Sequence, residues 1–491
     1  MMNQYSIFLG NTGPSGRLGL TVASDDQAQH PGDKMYRPPR TAIIGAGISG
    51  LTTAKNLGDA GVEYVCFESS DRVGGNWAFR NPNGHSSAYR SLHIDTSRDL
   101  LSFKDFPMDR NLPDYPHHSE IKEYLDDYTD AFGLREHIEF ETAVEHAHRL
   151  DGGGWELQIS DGSRRRFDAL VVANGHHWDP RLPNFPGHFT GETIHSHSYI
   201  DPTEPLDLRG KRIVVVGIGN SAADLVSELS QKAWQNNVYL STRSGAWVVP
   251  KYILGLTADK LAYTLPVIPL SWQRRAKQIL PRLLFGNPEH YGLPTPDHKF
   301  LEAHPTQSAE LLMRLGSGDA IAKPDIERLD GDHVVFTDGS RVAADVIIYA
   351  TGYNITFPFF DPEFLCAPDN RLPLYKRMFK PGIDDLVFVG FAQALPTLFP
   401  FVECQARLAA AYLGGSYRLP TEAEMHRVIA ADERKYIGHF KNRPRHTQQV
   451  DYFDYERDIR KRELPAGRCR VARYGPVRLA GRAEAAAADA V

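Results

Sequence analysis

Two glycine-rich turns, one near the start of the chain and one near its middle, constrain the fold more than any other feature. The first closes T-A-I-I-G-A-G-I-S-G, with Gly45, Gly47 and Gly50 at G-x-G-x-x-G spacing. The second closes R-I-V-V-V-G-I-G-N-S-A, with Gly217, Gly219 and Ala222 in the same register. An apolar β-run precedes each turn and a helix follows. In that context the first glycine permits the tight turn, the second lets the backbone approach a pyrophosphate, and the third position keeps helix and strand close. Amides at the helix start, aided by the helix dipole, then bind phosphate. One such turn implies one dinucleotide. Two imply a pair, and an enzyme that passes electrons between them.

The surrounding residues separate the two sites. Residues 41–45 read as a strand, 49–60 as a helix and 64–67 as a second strand leading to Glu68. An acid about 20 residues past the last glycine accepts ribose hydroxyl hydrogens, which suits an unphosphorylated ribose; the alternative is a strand–helix–strand turn with no ligand. D-R-V-G-G-N-W follows at once. Gly74 and Gly75 allow close backbone approach, with Asn76 and Trp77 at the border of the ligand; otherwise this is a glycine turn beside a core tryptophan. In the second unit Asn220 and Ser221 open the helix, and the strand at 238–241 ends in S-T-R rather than in an acid. Arg243 suits a 2′-phosphate as a guanidinium clamp, with Ser241 and Thr242 as hydroxyl donors; the competing reading of Arg243 is a surface cation. These features assign FAD to the first turn and NADPH to the second.

The expected fold is α/β, with two nested Rossmann-like dinucleotide-binding domains and the NADPH domain inserted in the FAD domain. Residues 1–38 form an extension without fixed structure, and Met35 is a candidate start of the native protein. The FAD domain covers 39–205 and resumes at 345–462. The NADPH domain covers 206–344, with Pro202 and Pro205 marking the departure, and 463–491 is a tail that ends in low complexity. Residues 119–132 read as a helix with Ser119 as N-cap. Further strands are expected at 155–159, 167–173, 345–350 and 386–389, and helices at 402–413 and 421–435. The region 250–320 is expected to cover the substrate entrance.

Composition excludes little but consistently. A net charge of −6 gives no reason to expect nucleic acid or an anionic membrane as partner. No run reaches the ~18 apolar residues of a membrane span. Cys66, Cys366, Cys404 and Cys469 lie far apart and form no C-x-x-C pair, which excludes a dithiol redox centre of the usual spacing and a cysteine-rich zinc site; a cytoplasmic, reducing setting is the default expectation. No metal site is expected: His117/His118 and His176/His177 are adjacent pairs that would point apart on regular structure. A homodimer is compatible with the sequence, with no interface legible.

Between the two turns stands F-T-G-E-T-I-H-S-H-S-Y, residues 189–199. This F-x-G-x-x-x-H-x-x-x-Y pattern, before a second G-x-G-N-S-A, resembles the identifying sequence of flavin-containing monooxygenases, the class B flavoprotein oxygenases. The likeness extends over S-L-H-I-D-T-S-R (91–98), D-F-P (105–107), N-G-H-H (174–177), S-T-R-S-G-A-W (241–247), A-T-G-Y (350–353), L-Y-K (374–376) and E-C-Q-A-R (403–407). The resemblance implies that NADPH reduces FAD and that oxygen then adds at the flavin C4a carbon. An amine nitrogen or sulfide sulfur of a small substrate takes the distal oxygen. It also implies that His195 and Tyr199 couple domain geometry to cofactor binding, and that Thr351 and Gly352 mark the second crossing between domains. Gln393 is a candidate partner of the flavin ring edge or an ordinary loop amide.

One departure matters. Where the family usually has Asn in N-T-S, this chain has Asp95. An amide donates and accepts, whereas an ionised carboxylate only accepts. Three readings stand. Asp95 is protonated by burial and donates; or it resembles the aspartate of Baeyer–Villiger monooxygenases, which act on ketones; or it points away and caps Ser97 in a turn. Tyr199, where Baeyer–Villiger enzymes usually have Trp, favours oxygenation at nitrogen or sulfur. The alternatives are a Baeyer–Villiger enzyme, an oxidase that leaks peroxide, and a nucleotide-binding scaffold without turnover.

Overall fold

The computed structural model describes residues 36–260, 286–300, 302–437 and 448–479. Met35, the rest of the extension up to it, the middle of the 250–320 region and the tail beyond 479 lie outside the described residues. In chain order the elements that build the site are β1 (Thr41–Ile44), α1 (Ile48–Asp59), β2 (Tyr64–Phe67), α2 (His118–Ala131), β3 (Ile138–Glu139), β4 (Ala169–Val172), β5 (Glu192–His195), β6 (Arg212–Val216), α3 (Asn220–Leu229), β7 (Asn237–Ser241), β8 (Ala320–Lys323), β9 (Val346–Tyr349), β10 (Leu386–Phe388), α4 (Phe399–Leu413) and α5 (Leu464–Tyr474).

Two parallel sheets result, in the orders β10-β4-β1-β2-β3 and β5-β9-β6-β7-β8. Their central strands are short apolar runs buried on both faces, the mark of a parallel sheet covered on each side. Alternation sends Ile43 and Cys66 into a core with Leu51, Ala54 and Leu57 of α1 and Val402 and Leu408 of α4. It sends Ala42, Ile44 and Phe67 to the opposite core, with Trp155 and Leu157 of an antiparallel meander and with Phe357 and Phe360. The second sheet repeats this plan. Ile213, Val215 and Ile348 pack on Ala222, Val226 and Leu229 of α3, while Val214, Val216 and Ile347 face Val334 and Phe336 of a second antiparallel layer.

The second sheet takes β5 from before residue 206 and β9 from after residue 344, because these two strands pair with each other in register Glu192↔Val346 to His195↔Tyr349. The links between the sheets pair as well: Asp179–Pro180 lies antiparallel to Tyr353–Asn354. The helix expected at 119–132 starts one residue earlier. His117, not Ser119, is its N-cap, since the His117 imidazole accepts from the Ser119 amide and Glu120 accepts from the His117 amide at 2.7 Å. The expected 402–413 helix begins at Phe399. Part of the expected tail is helical: α5 seats Gly467 on the Tyr417 ring, where an added Cβ would stand 2.0 Å from it.

Candidate active site

Both glycine turns open onto one cavity of about 1250 Å³. Gly45 has φ +101°, and a Cβ there would stand 2.7 Å from the Ala173 carbonyl oxygen; Gly217 has φ +135°, with the Ala350 carbonyl 2.4 Å away. Gly50 does not line the cavity. A Cβ on it would lie 1.7 Å from the Gly45 carbonyl oxygen, so it serves the close packing of turn on helix. The N-caps of α1 and α3 are Gly47 and Gly219, and neither helix has a side-chain cap on its first-turn amides. Those donors are therefore left for a ligand's phosphates.

Glu68 lines the cavity and is buried. Its carboxylate accepts from the amides of Ala46 at 2.7 Å and Ser70 at 2.8 Å. Burial pushes its carboxyl up and these amides pull it back. Gly75, Asn76 and Trp77 line the same wall. Asn76 Oδ1 accepts from the Ser87 amide at 2.9 Å, and Trp77 meets Phe399 edge-on at 6.3 Å.

Around the second turn, Gly217, Gly219, Asn220 and Ser221 all line the cavity, as do Ser241, Thr242 and Arg243 at the end of β7. The hydroxyl hydrogens of the last group's first two members are engaged elsewhere. Ser241 donates to the Pro324 carbonyl at 2.8 Å and Thr242 to the Ser244 carbonyl at 2.8 Å. Arg243 is exposed, and its guanidinium makes no ion pair or hydrogen bond among the described residues. Asp325 shares the cavity wall.

Asp95 lies where the two folds meet. The Asn220 amide accepts from the Gln307 amide at 3.0 Å through Oδ1, which turns its Nδ2 to donate to Asp95 Oδ2 at 2.5 Å. Asp95 Oδ1 is 3.6 Å from Lys251 Nζ. Asp95 does not cap Ser97, whose amide donates to Asp259 at 2.6 Å. Burial pushes the Asp95 carboxyl up; Lys251 and Asn220 pull it down. With 26% of its side chain accessible and lining the cavity, this is the desolvation of a deep cleft rather than a dry core. Gln393 lines the cavity too, held by its amide's bond to the Gln448 carbonyl at 2.9 Å.

Thr351 and Gly352 line the cavity where the chain leaves β9, and the Thr351 hydroxyl donates to the Arg181 carbonyl on the other link. His195 and Tyr199 are buried outside the cavity lining. His195 packs 5.3 Å from the Tyr353 ring, and Tyr199 donates to Glu228 of α3. The His176 and His177 rings lie 4.4 Å apart; they sit in a loop, where the divergence expected on regular structure does not apply. Among the described residues no three His, Cys, Asp or Glu side chains converge to hold a metal, and no helix is long and apolar enough to cross a membrane.

Lys251 and Gln307, which complete the Asp95 site, carry no signal of their own in the sequence. Each comes from a segment without a motif. The one signal that pointed toward them was Asp95 itself, since a carboxylate in a cleft requires partners.

The model of flavin-binding monooxygenase-like proteins matches residues 39–463. Dimethylaniline monooxygenase (N-oxide-forming) 2 of Rattus norvegicus is 37% identical over 443 residues, 85% of this chain and 81% of that protein. Flavin-containing monooxygenase 5 of Rattus norvegicus is 35% identical, covering 86% and 82%. Among solved structures, S-allyl-L-cysteine S-oxygenase from Allium sativum superposes with TM-score 0.65 at 26% identity, over 87% of this chain and 88% of that one. An open structure of cyclohexanone monooxygenase gives TM-score 0.65 at 20% identity, over 88% and 98%, a likeness of fold.

Proposed function

The chain belongs to the flavin-binding monooxygenase-like family, and from that premise we propose that it oxygenates an amine nitrogen or a sulfide sulfur of a small organic substrate. It is an FAD-containing, NADPH-dependent monooxygenase. The observation that carries the two-cofactor oxygenase reading is that both glycine turns line a single cavity, with Asp95 and Gln393 on its wall. When bound, NADPH would supply the electrons and FAD would pass them to dioxygen, the source of the transferred oxygen atom.

The residues present fit both groups. Backbone packed too closely for a Cβ at Gly45 and Gly217, and two helix starts without side-chain caps, make cradles for two pyrophosphates. We assign Glu68 to the ribose of FAD and Arg243 to the 2′-phosphate of NADPH. Ser241 and Thr242, with their hydroxyl hydrogens on carbonyls, shape the strand end and leave the phosphate to Arg243 and backbone amides. Asn220 serves both folds, because it opens α3 and bonds Asp95. Gln393 is assigned to the flavin ring edge. The protein's own work is to orient the two rings, exclude water and fix the hydrogen bonds at their junction.

The preference for nitrogen or sulfur is supported by the printed activities of the relatives, an N-oxide-forming monooxygenase and an S-oxygenase. Four free cysteines support a cytoplasmic setting. Product analysis tests the reading. Purified protein, NADPH and air are supplied in turn with a tertiary amine, a thioether and a cyclic ketone. An N-oxide or sulfoxide is expected; a lactone from the ketone as the principal product contradicts the reading.

A further inference from the structure

A carboxylate taken out of water must find a cation or take up a proton. Asp95 has found a cation. Lys251 Nζ stands 3.6 Å from Asp95 Oδ1 and donates to the carbonyl of the adjacent Ile94 at 3.0 Å. The lysine is itself held in place. Its ammonium lies 5.0 Å from the Tyr115 ring centroid, its carbonyl accepts from the Tyr115 hydroxyl at 2.5 Å, and 17% of its side chain is accessible. Among the described residues Asp95 is its only ion-pair partner.

The two oxygens of Asp95 are in different states. Oδ1, on the lysine side, is covered and has no hydrogen-bond partner. Oδ2 takes the Asn220 amide. With Oδ1 covered, a ligand in the cavity can meet this carboxylate only at Oδ2. The Asn220 amide cannot turn its oxygen there without losing the Gln307 amide, so Oδ2 must accept.

We propose that Lys251 is a positioning residue for the reaction: its ammonium is the counter-ion that keeps Asp95 an acceptor-only carboxylate at the junction of the two nucleotide folds. The inference rests on the oxygenase reading above. Of the groups around Asp95, the Lys251 ammonium favours its charge and the Asp224 carboxyl opposes it. Asn220 and Asp224 approach from α3, Tyr89 from the loop before, and Lys251 from the segment after β7. Tyr89 donates to Asp224 and Ser91 and Tyr199 to Glu228. Asp259 is engaged by the amides of Ser97 and Lys260. One ammonium thus faces two carboxylates, Asp95 and Asp224; it stands beside Asp95, while Asp224 is left with a phenol.

The test reads the protonation of Asp95 directly. Infrared difference spectra of the holoenzyme against Asp95→Asn report the neutral-carboxyl stretch of this one residue. Near neutral pH the wild type is expected to lack that band and Lys251→Met to show it, with the midpoint raised by roughly one pH unit or more. Lys251→Arg is expected to behave as wild type. Peroxide released per NADPH should rise several-fold in Lys251→Met at unchanged FAD content, and Asp95→Asn should make the lysine change silent. A wild-type band at neutral pH overturns the proposal, as does a Lys251→Met spectrum without one. If Lys251→Met does not fold, Lys251→Gln, which keeps a polar tip, is read in the same way. Absence of NADPH-dependent oxygen uptake by the wild type would instead remove the oxygenase reading and leave the spectra to judge the ion pair.

Discussion

The Tyr199 hydroxyl donates to the Glu228 carboxylate at 2.9 Å. This bond ties the link between the two sheets to the third turn of α3, the helix whose first residue, Asn220, holds Asp95. Tyr199 is fully buried and meets Tyr89 edge-on at 6.2 Å, and Tyr89 bonds Asp224 of the same helix. Both tyrosines thus hold one helix by its carboxylates while their rings share its hydrophobic core with Ile213 and Val215 of β6.

Tyr199→Phe removes one hydrogen bond to a charged acceptor and leaves Glu228 with Ser91 alone. Such bonds are worth about 1.5–3 kcal/mol. The KM for NADPH is expected to rise by about tenfold or more, while FAD stays bound. Steady-state kinetics and flavin absorbance measure both. An unchanged KM, or loss of FAD in step with it, contradicts this role.

Arg243→Ala should change which nicotinamide cofactor is used rather than whether one is used. The guanidinium is exposed and makes no ion pair among the described residues, so its removal costs little in stability. Loss of a charge-assisted contact to phosphate should lower kcat/KM for NADPH by about 10–100-fold and leave NADH within about threefold. Equal losses with both cofactors would place Arg243 elsewhere.

The carboxyl of Asp224 is pushed up to about 7, first by burial and next by the neighbouring Asp95. An acid with a raised folded-state pKa holds its proton more tightly folded than unfolded. Its contribution to stability is fully present below the ordinary carboxylate range and is lost as pH climbs through about 7. The melting temperature of wild type should therefore fall between about pH 4 and about pH 7 relative to Asp224→Asn, which keeps an acceptor for Tyr89 without titrating, and level off above that. Parallel melting curves across that range would show that Asp224 is already charged.

What the sequence made legible were features enforced by local backbone. Gly45, Gly50 and Gly217 are legible because a side chain has no room there, and the short strands are legible because burial on both faces leaves an unbroken apolar run. What was illegible depends on partners far along the chain. His117 caps α2 because its ring folds back on the Ser119 amide, a role in which serine is the commoner choice. β5 shows as a strand only when β9, more than 150 residues later, lies beside it. Hydroxyls at a strand end suit phosphate, but the hydrogens of Ser241 and Thr242 go to the Pro324 and Ser244 carbonyls, partners that sequence spacing does not reveal. Lys251 carried no pattern, since a lone lysine after a proline is indistinguishable from a solvated one until Asp95 is placed beside it.

The central claim is that two dinucleotides meet in one cavity and deliver oxygen to a soft nucleophile. The most direct measurement follows both atoms of isotopically labelled dioxygen during turnover with NADPH and a thioether or tertiary amine. A yellow protein is expected that places one labelled atom in the sulfoxide or N-oxide and one in water, for each NADPH oxidised. A protein that retains no FAD, or that sends both atoms to hydrogen peroxide with no oxygenated product, would contradict it.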